Sequence, residues 1–313
     1  MNFNEKTMQK TALVVGLAVL ANMLWGSAAP IIKMGYGLFQ VDSGDLMSQI
    51  LFAGIRFFLA GILAVLLGSV LQKKVLLPTR SSLPKIALLS LFQTIIEYFF
   101  FYMGCAHASG TNVAIANSTG SFLSILFACL IFRQEKLTAK KVIGCILGFA
   151  GVVLINLSTE GGVNLNMTWK GEGAIILASC SFAVSNALTR SFSRTENPVM
   201  LCGYQFILGG AVMTVAALAL GGRLSFAGAG GMLVILHLAM VSAVAFSITS
   251  ILVKYNPVSQ VSVFGFFNPV FGVCLSILIL KESGKEFGLR GLAALALVCM
   301  GVFIVNYSKK AKE

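Results

Sequence analysis

Charge is what this sequence has least of. Only 11% of its 313 residues are Asp, Glu, Lys or Arg, and just 11 of those are acidic. Soluble domains carry about a quarter charged residues, so a water-exposed globular domain is excluded. There are two histidines, His107 and His237, far apart in the chain, so a histidine-based metal site is not expected. Seven cysteines occur singly at positions 105, 129, 145, 180, 202, 274 and 299, mostly inside apolar runs. That pattern offers neither a disulfide framework nor a zinc signature, and suits small packing residues. No P-loop, zinc motif or G-x-S-x-G is present, which removes nucleotide-driven machinery and soluble-type catalysis. No cofactor is expected. The net charge of +12 would suit nucleic acid, but the basic residues form no stripe on a soluble domain.

What the chain has instead is a rhythm of apolar runs, each matching the roughly 30 Å core of a bilayer at about 1.5 Å per helical residue. Only helices and closed barrels satisfy their backbone there, and runs this continuous cannot be barrel strands. The expectation is an all-α polytopic membrane protein with ten transmembrane helices. They fall at about 11–36, 47–71, 84–106, 111–132, 140–158, 171–190, 198–220, 231–253, 258–280 and 288–307. Ser27-Ala28-Ala29 resembles a signal-peptidase site, but Pro30 follows directly and the run is long. A first transmembrane helix is therefore expected there.

With the N-terminus placed inside, sixteen Lys and Arg lie in inner segments and six in outer ones, with Arg56 alone inside a span. The positive-inside rule then puts both termini in the cytoplasm. The two halves also look like copies. Trp25 and Lys33 are eight apart in the first helix, as are Phe182 and Arg190 in the sixth. Arg133-Gln134-Glu135-Lys136 after the fourth helix matches Leu280-Lys281-Glu282-Ser283 after the ninth. The halves close alike, on Gly151-Val152-Val153-Leu154-Ile155-Asn156 and Gly301-Val302-Phe303-Ile304-Val305-Asn306. Five helices per half force the second copy to enter from the opposite side, a 5+5 inverted repeat. The expected organisation is a first repeat over 1–158, an outer linker over 159–170 and a second repeat over 171–313.

Trp25-Gly26-Ser27 followed by Lys33 resembles the first-helix signature of the drug/metabolite transporter superfamily, in its EamA branch. Asn117–Asn156 and Asn268–Asn306 resemble the closing segments of that branch's repeats, and the similarity runs over nearly the whole chain. The resemblance implies ten helices in a 5+5 inverted repeat, a central cavity, and export of small metabolites or amino acids. In one respect the chain departs from the pattern. Pro269 supplies the family's early proline in the ninth helix, but the fourth helix has Ser118-Thr119-Gly120 in its place.

Glu97 is the acidic residue deep inside a span, where a charge costs roughly 2.5–3.5 kcal/mol on insertion scales. It must face a polar cavity, pair with a base or carry a proton. Arg56 lies at matching depth on the neighbouring helix. The two stand equally as a structural ion pair and as a functional site, and Glu97 as a proton carrier or counter-charge to a cationic substrate. His237 is a further candidate proton group. Tyr98 and Phe101 share the aromatic run beside Glu97, and Phe267 and Asn268 precede Pro269. Aromatic faces suit organic cations and amphipathic solutes, though packing explains any one of them as well. Asn22 and Trp25 near Pro30, with Asn117 and Asn186 in mid-span, complete the candidate cavity residues. Pro30, Gly120 and Pro269 are the candidate kink positions. Gly144-x-x-x-Gly148 offers a homodimer face, a weak motif alone.

These residues point to a secondary transporter working by alternating access, an exporter of small organic solutes with protons as the candidate coupling ion. The expected location is a bacterial inner membrane. The alternatives are a membrane enzyme acting on lipid-linked substrates, for which Asp42, Asp45 and Glu160 lack convergent spacing, and a non-transporting scaffold.

Overall fold

The computed structural model describes residues 5–42, 44–108, 110–156, 168–280 and 288–307. Among these no strand occurs. After a short turn, α1 (Glu5–Met8), come α2 (Thr11–Phe39), α3 (Leu46–Gln72), α4 (Leu83–His107), α5 (Gly110–Leu126, continued by a π-turn at Phe127–Ile131) and α6 (Ala139–Asn156). There follow α7 (Trp169–Phe192), α8 (Pro198–Ala219), α9 (Gly228–Tyr255), α10 over 258–280 and α11 (Gly288–Asn306). Seven of the described helices are long and apolar enough to cross a membrane: α2, α3, α4, α5, α7, α8 and α9. The chain is thus an all-helical, multi-pass membrane protein. Residues 159–167 of the expected linker and 281–283 of the repeated motif lie outside the described residues.

Local chemistry sets where the helices start and stop. Asp45 caps α3, accepting from the Ser48 N–H at 3.0 Å. Asn197 caps α8, accepting from Val199 N–H at 2.9 Å and Met200 N–H at 3.2 Å, with Pro198 in the first turn. Gln40 and Lys73 end α2 and α3 in the left-handed region at φ 54° and 50°. Two helices depart from α geometry midway. Leu91–Ile96 of α4 forms a π-helix just before Glu97. In α10 a 3-10 segment, Val263–Phe266, joins Val258–Ser262 to Phe267–Leu280. Pro269 has no N–H to offer the carbonyl of Gly265, four residues back, which fits the tightened turn there. Pro30 sits inside an α-helix that runs on without interruption, as does Gly120 in α5.

The helices pair across the chain rather than along it. The most extensive contacts join α3 to α8 and α6 to α11, followed by α2 against both α9 and α10, and α7 against both α4 and α5. Glycine makes the first two pairings close. A Cβ on Gly61 would stand 2.5 Å from the Gly203 carbonyl, and one on Gly210 would stand 2.7 Å from the Gly54 carbonyl. A Cβ on Gly301 would likewise meet the Gly144 carbonyl at 2.5 Å. With little hydrophobic drive between helices in lipid, such backbone approach is what holds them together. It also corrects the dimer reading of Gly144 and Gly148. Gly144 is covered by Gly301 and Val305, and Gly148 by Phe266, all of the same chain.

The surface is inverted relative to a soluble protein. Val70, Val215, Leu233 and Phe303 are each more than 60% exposed, while Gln205 and Ser124 are wholly buried. An apolar rim around a polar interior is what a bilayer demands.

Candidate functional site

Five helices converge on a small central cavity of about 30 Å³. Ala18, Asn22 and Trp25 come from α2, Ser121 from α5, Phe182 and Asn186 from α7, Thr249 from α9, and Val261, Ser262 and Gly265 from α10. The spacing i, i+4, i+7 puts the three α2 residues on one stripe. The volume holds roughly two waters, far less than a metabolite needs, so this conformation is closed. Asn22 gives its amide N–H to the Ala18 carbonyl at 2.8 Å, leaving its Oδ1 buried without a partner. The Trp25 Nε1–H is buried and unpartnered too. An orphaned acceptor and an orphaned donor beside a cavity are expensive unless something else fills their needs. Asn186 is satisfied, donating to Ser124 Oγ at 3.1 Å.

An aromatic chain runs from this cavity toward a second polar centre. Trp25 meets Phe246 edge-on at 5.0 Å, and Phe246 meets Phe206 at 4.9 Å. Phe206 stacks on Phe57 at 5.0 Å, and Phe57 contacts Tyr98 at 4.3 Å. At its end lies Arg56, only 3% exposed, with its guanidinium over the Phe57 ring at 4.1 Å and the Tyr98 ring at 5.6 Å. It donates to Ser242 Oγ at 3.3 Å and to the Tyr102 hydroxyl at 3.5 Å, while its Nε is buried without a partner.

Arg56 and Glu97 form no ion pair, so their equal depth does not bring them together. Depth along a helix does not fix the direction a side chain takes around it. Glu97 follows the π-helix on α4, with its Oε2 buried and lacking a hydrogen-bond partner. Tyr98 and Phe101 pack with Tyr102 into the aromatic cluster around Arg56. Asn117 is exposed, Phe267 is buried against Phe264 and Phe271, and Asn268 is half-buried. His237 is exposed on α9 and stays out of the interior. Among the described residues no group of His, Cys, Asp or Glu is placed to hold a metal.

The structure thus gathers Asn22, Trp25 and Asn186 at one cavity, and adds Ser121, Phe182, Thr249 and Ser262, which sequence reasoning did not select. Spacing gives only a weak signal, and for only two of them, Ser121 and Thr249. Asn117, Ser121 and Ser124 form an i, i+4, i+7 polar series on α5, and the hydroxyls of Ser242 and Thr249 flank Phe246 at the same spacing on α9.

Beyond the cavity, the end of the bundle that carries Met8 is tied shut by polar contacts. Glu135, in the α5–α6 loop, accepts from Lys141 Nζ at 2.8 Å, from the Ser259 N–H at 3.2 Å and from the Ser259 hydroxyl. Burial pushes the Glu135 carboxyl up, but the bonds from Lys141 and Ser259 outweigh it and hold it below the usual carboxylate range. Gln134 donates to the Ala187 carbonyl at 2.8 Å, and Arg190 to the carbonyls of Val253 and Asn256. Asn256 reaches the Met8 carbonyl at 3.0 Å. At the same end Glu196 accepts from Lys85 and Ser82, each at 2.8 Å.

The model of the EamA-like transporter family matches the chain twice, over residues 12–157 and 169–307. A protein of Archaeoglobus fulgidus named an uncharacterized transporter is 26% identical over 95% of this chain and 98% of its own length. Another so named, from Synechocystis, is 26% identical over 100% of this chain and 95% of its own. A solved crystal structure superposes with a TM-score of 0.77 at 17% identity, covering 95% of this chain and 97% of that one, a likeness of fold.

Proposed function

The chain belongs to the EamA-like transporter family, and on that premise we propose a secondary transporter that exports small metabolites, amino acids or related organic solutes by alternating access. The observation that carries this reading is the central cavity, built from five helices and flanked by the unpartnered Asn22 Oδ1 and Trp25 Nε1. A small closed pocket lined by helices of both halves is what alternating access between two repeats uses.

The helix pairing supports two five-helix repeats, α2–α6 over 1–158 and α7–α11 over 171–313. Under an exchange of the two halves α3·α8 and α6·α11 map onto themselves, and α2 with α9 and α10 maps onto α7 with α4 and α5. The two matches of the family model fall on the same halves. The Lys and Arg asymmetry favours both termini in the cytoplasm of a bacterial inner membrane. The end carrying Met8 is then the cytoplasmic gate. Glu97 serves as the proton-coupling group, since its unpartnered oxygen leaves it able to exchange a proton without breaking an ion pair.

Metabolite profiling of medium from cells carrying the chain, its Asn22→Ala or Glu97→Gln variant, or nothing tests the reading. A solute that accumulates outside only with the unmodified chain supports export. Loss of pH dependence in Glu97→Gln supports proton coupling, and unchanged flux and pH dependence sink it.

A further inference from the structure

Arg56 stands about 15 Å along α3 from its first residue, near the middle of a bilayer core roughly 30 Å thick. A bare guanidinium there costs at least roughly 2.5–3.5 kcal/mol, and intramembrane charges as a rule pair with an opposite charge. This one does not. Its terminal nitrogens meet only neutral hydroxyls, Ser242 and Tyr102 at long distance and Tyr98 beside them, and its Nε has no partner. Among the described residues nothing facing it supplies a negative charge: α3 offers Phe57, α4 Tyr98 and Tyr102, α9 Ser242, and α2 Tyr36 within electrostatic reach. Tyr36 adds a further buried hydroxyl, close to that of Tyr102.

We infer that Arg56 is the anion-recognition point of the transport path, gripping a carboxylate or phosphate oxyanion of the solute. The inference rests on the transporter reading and names its substrate class as acidic. A guanidinium with free Nε–H and weakly engaged terminal nitrogens presents the planar fork that matches an oxyanion bidentately. The rings of Phe57 and Tyr98 fix the plane of that fork. Cavity and fork are aligned along α9, where Ser242, Phe246 and Thr249 lie on one stripe, seven residues or about 10 Å long. Thr249 lines the cavity and Ser242 bonds Arg56. A lipid headgroup is the wrong source for the anion, since Arg56 is at mid-depth and faces inward.

The test uses the full-length protein reconstituted in proteoliposomes loaded with a small-molecule extract of bacterial cells, with released solutes identified by mass. The expected result is release of solutes bearing a carboxylate or phosphate, the masses telling which. Their release falls at least tenfold in Arg56→Gln, and less in Arg56→Lys, which keeps charge but loses the fork. An external acid competes and its uncharged amide does not. Release of amines, sugars or nucleosides alone would overturn the anion site and leave transport standing. Release of nothing beyond protein-free vesicles would overturn the transporter reading itself, and the site with it. If Arg56→Gln does not fold, the acid-against-amide comparison on the unmodified protein decides, and equal competition by the amide overturns the inference.

Discussion

Trp25 and Glu135 show how single side chains divide between transport and stability. The Trp25 Nε1–H is buried without an acceptor, so the folded protein carries its desolvation cost with no return. Trp25→Phe removes the donor and keeps a ring against Phe246. It is expected to hold or raise the melting temperature while lowering transport about tenfold, the worth of one hydrogen bond. Glu135 is the opposite case, with its carboxylate fully used by Lys141 and Ser259. Its folded carboxyl titrates below its unfolded one, so its stabilisation is complete above about pH 4.3 and is lost as pH falls through the lower folded value. Melting curves of purified protein should therefore drop more steeply below about pH 4 than those of Glu135→Gln, which should itself lose about 1–3 kcal/mol at pH 7. Equal slopes would remove Glu135 from the account. Asn22, Trp25 and Asn186 were legible in the sequence because polar groups in an apolar run are costly and few. Ser121, Thr249 and Ser262 were not, because a hydroxyl can bond its own helix backbone, as Ser118 and Thr119 do, and so carries little signal alone.

At the scale of elements, the close crossings of α3 with α8 and α6 with α11 constrain sequence more than any cavity residue does. Gly61→Ala would press a methyl onto the Gly203 carbonyl and the Ile207 N–H, backbone atoms with no room to give. A loss of about 1–3 kcal/mol is expected, read as a lower melting temperature in detergent. Gly16→Ala is the matched control. Its Cβ meets nothing within 4 Å, so helix propensity alone acts and stability holds or rises by up to about 1 kcal/mol. Helix positions were legible to a few residues, α9 being expected over 231–253 and found at Gly228–Tyr255, because bilayer thickness sets the length of each apolar run. The π-helix at Leu91–Ile96 was not legible, for it depends on what α4 packs against, including the bond from Thr94 to Gln205 at 2.6 Å. Pro269 announced a disturbance in α10, and the 3-10 segment sits immediately before it.

For the whole molecule, closure at the end carrying Met8 rests on few contacts, so it can be loosened by design. Ser262→Cys places a thiol in the cavity wall, in a background with the seven native cysteines replaced. A polar, membrane-impermeant thiol reagent supplied from that end is expected to react slowly. Adding Glu135→Gln, which frees Ser259 three residues away on α10, should speed the reaction several-fold. An unchanged rate would mean that the Glu135 contacts do not govern access. The all-helical membrane fold was legible from the length and continuity of the apolar runs. The pairing of helices was not, since partners are chosen by where glycines and hydroxyls meet in space, and α3 finds α8 rather than its chain neighbour.

That pairing has a consequence for how the protein is made. About 125 residues separate the end of α3 from the start of α8, and synthesis at roughly 5–20 residues per second leaves α3 waiting about 6–25 s for its mate. Through that interval the newborn helix holds a bare glycine face in the membrane, or beside the insertion machinery, with nothing yet built to cover it.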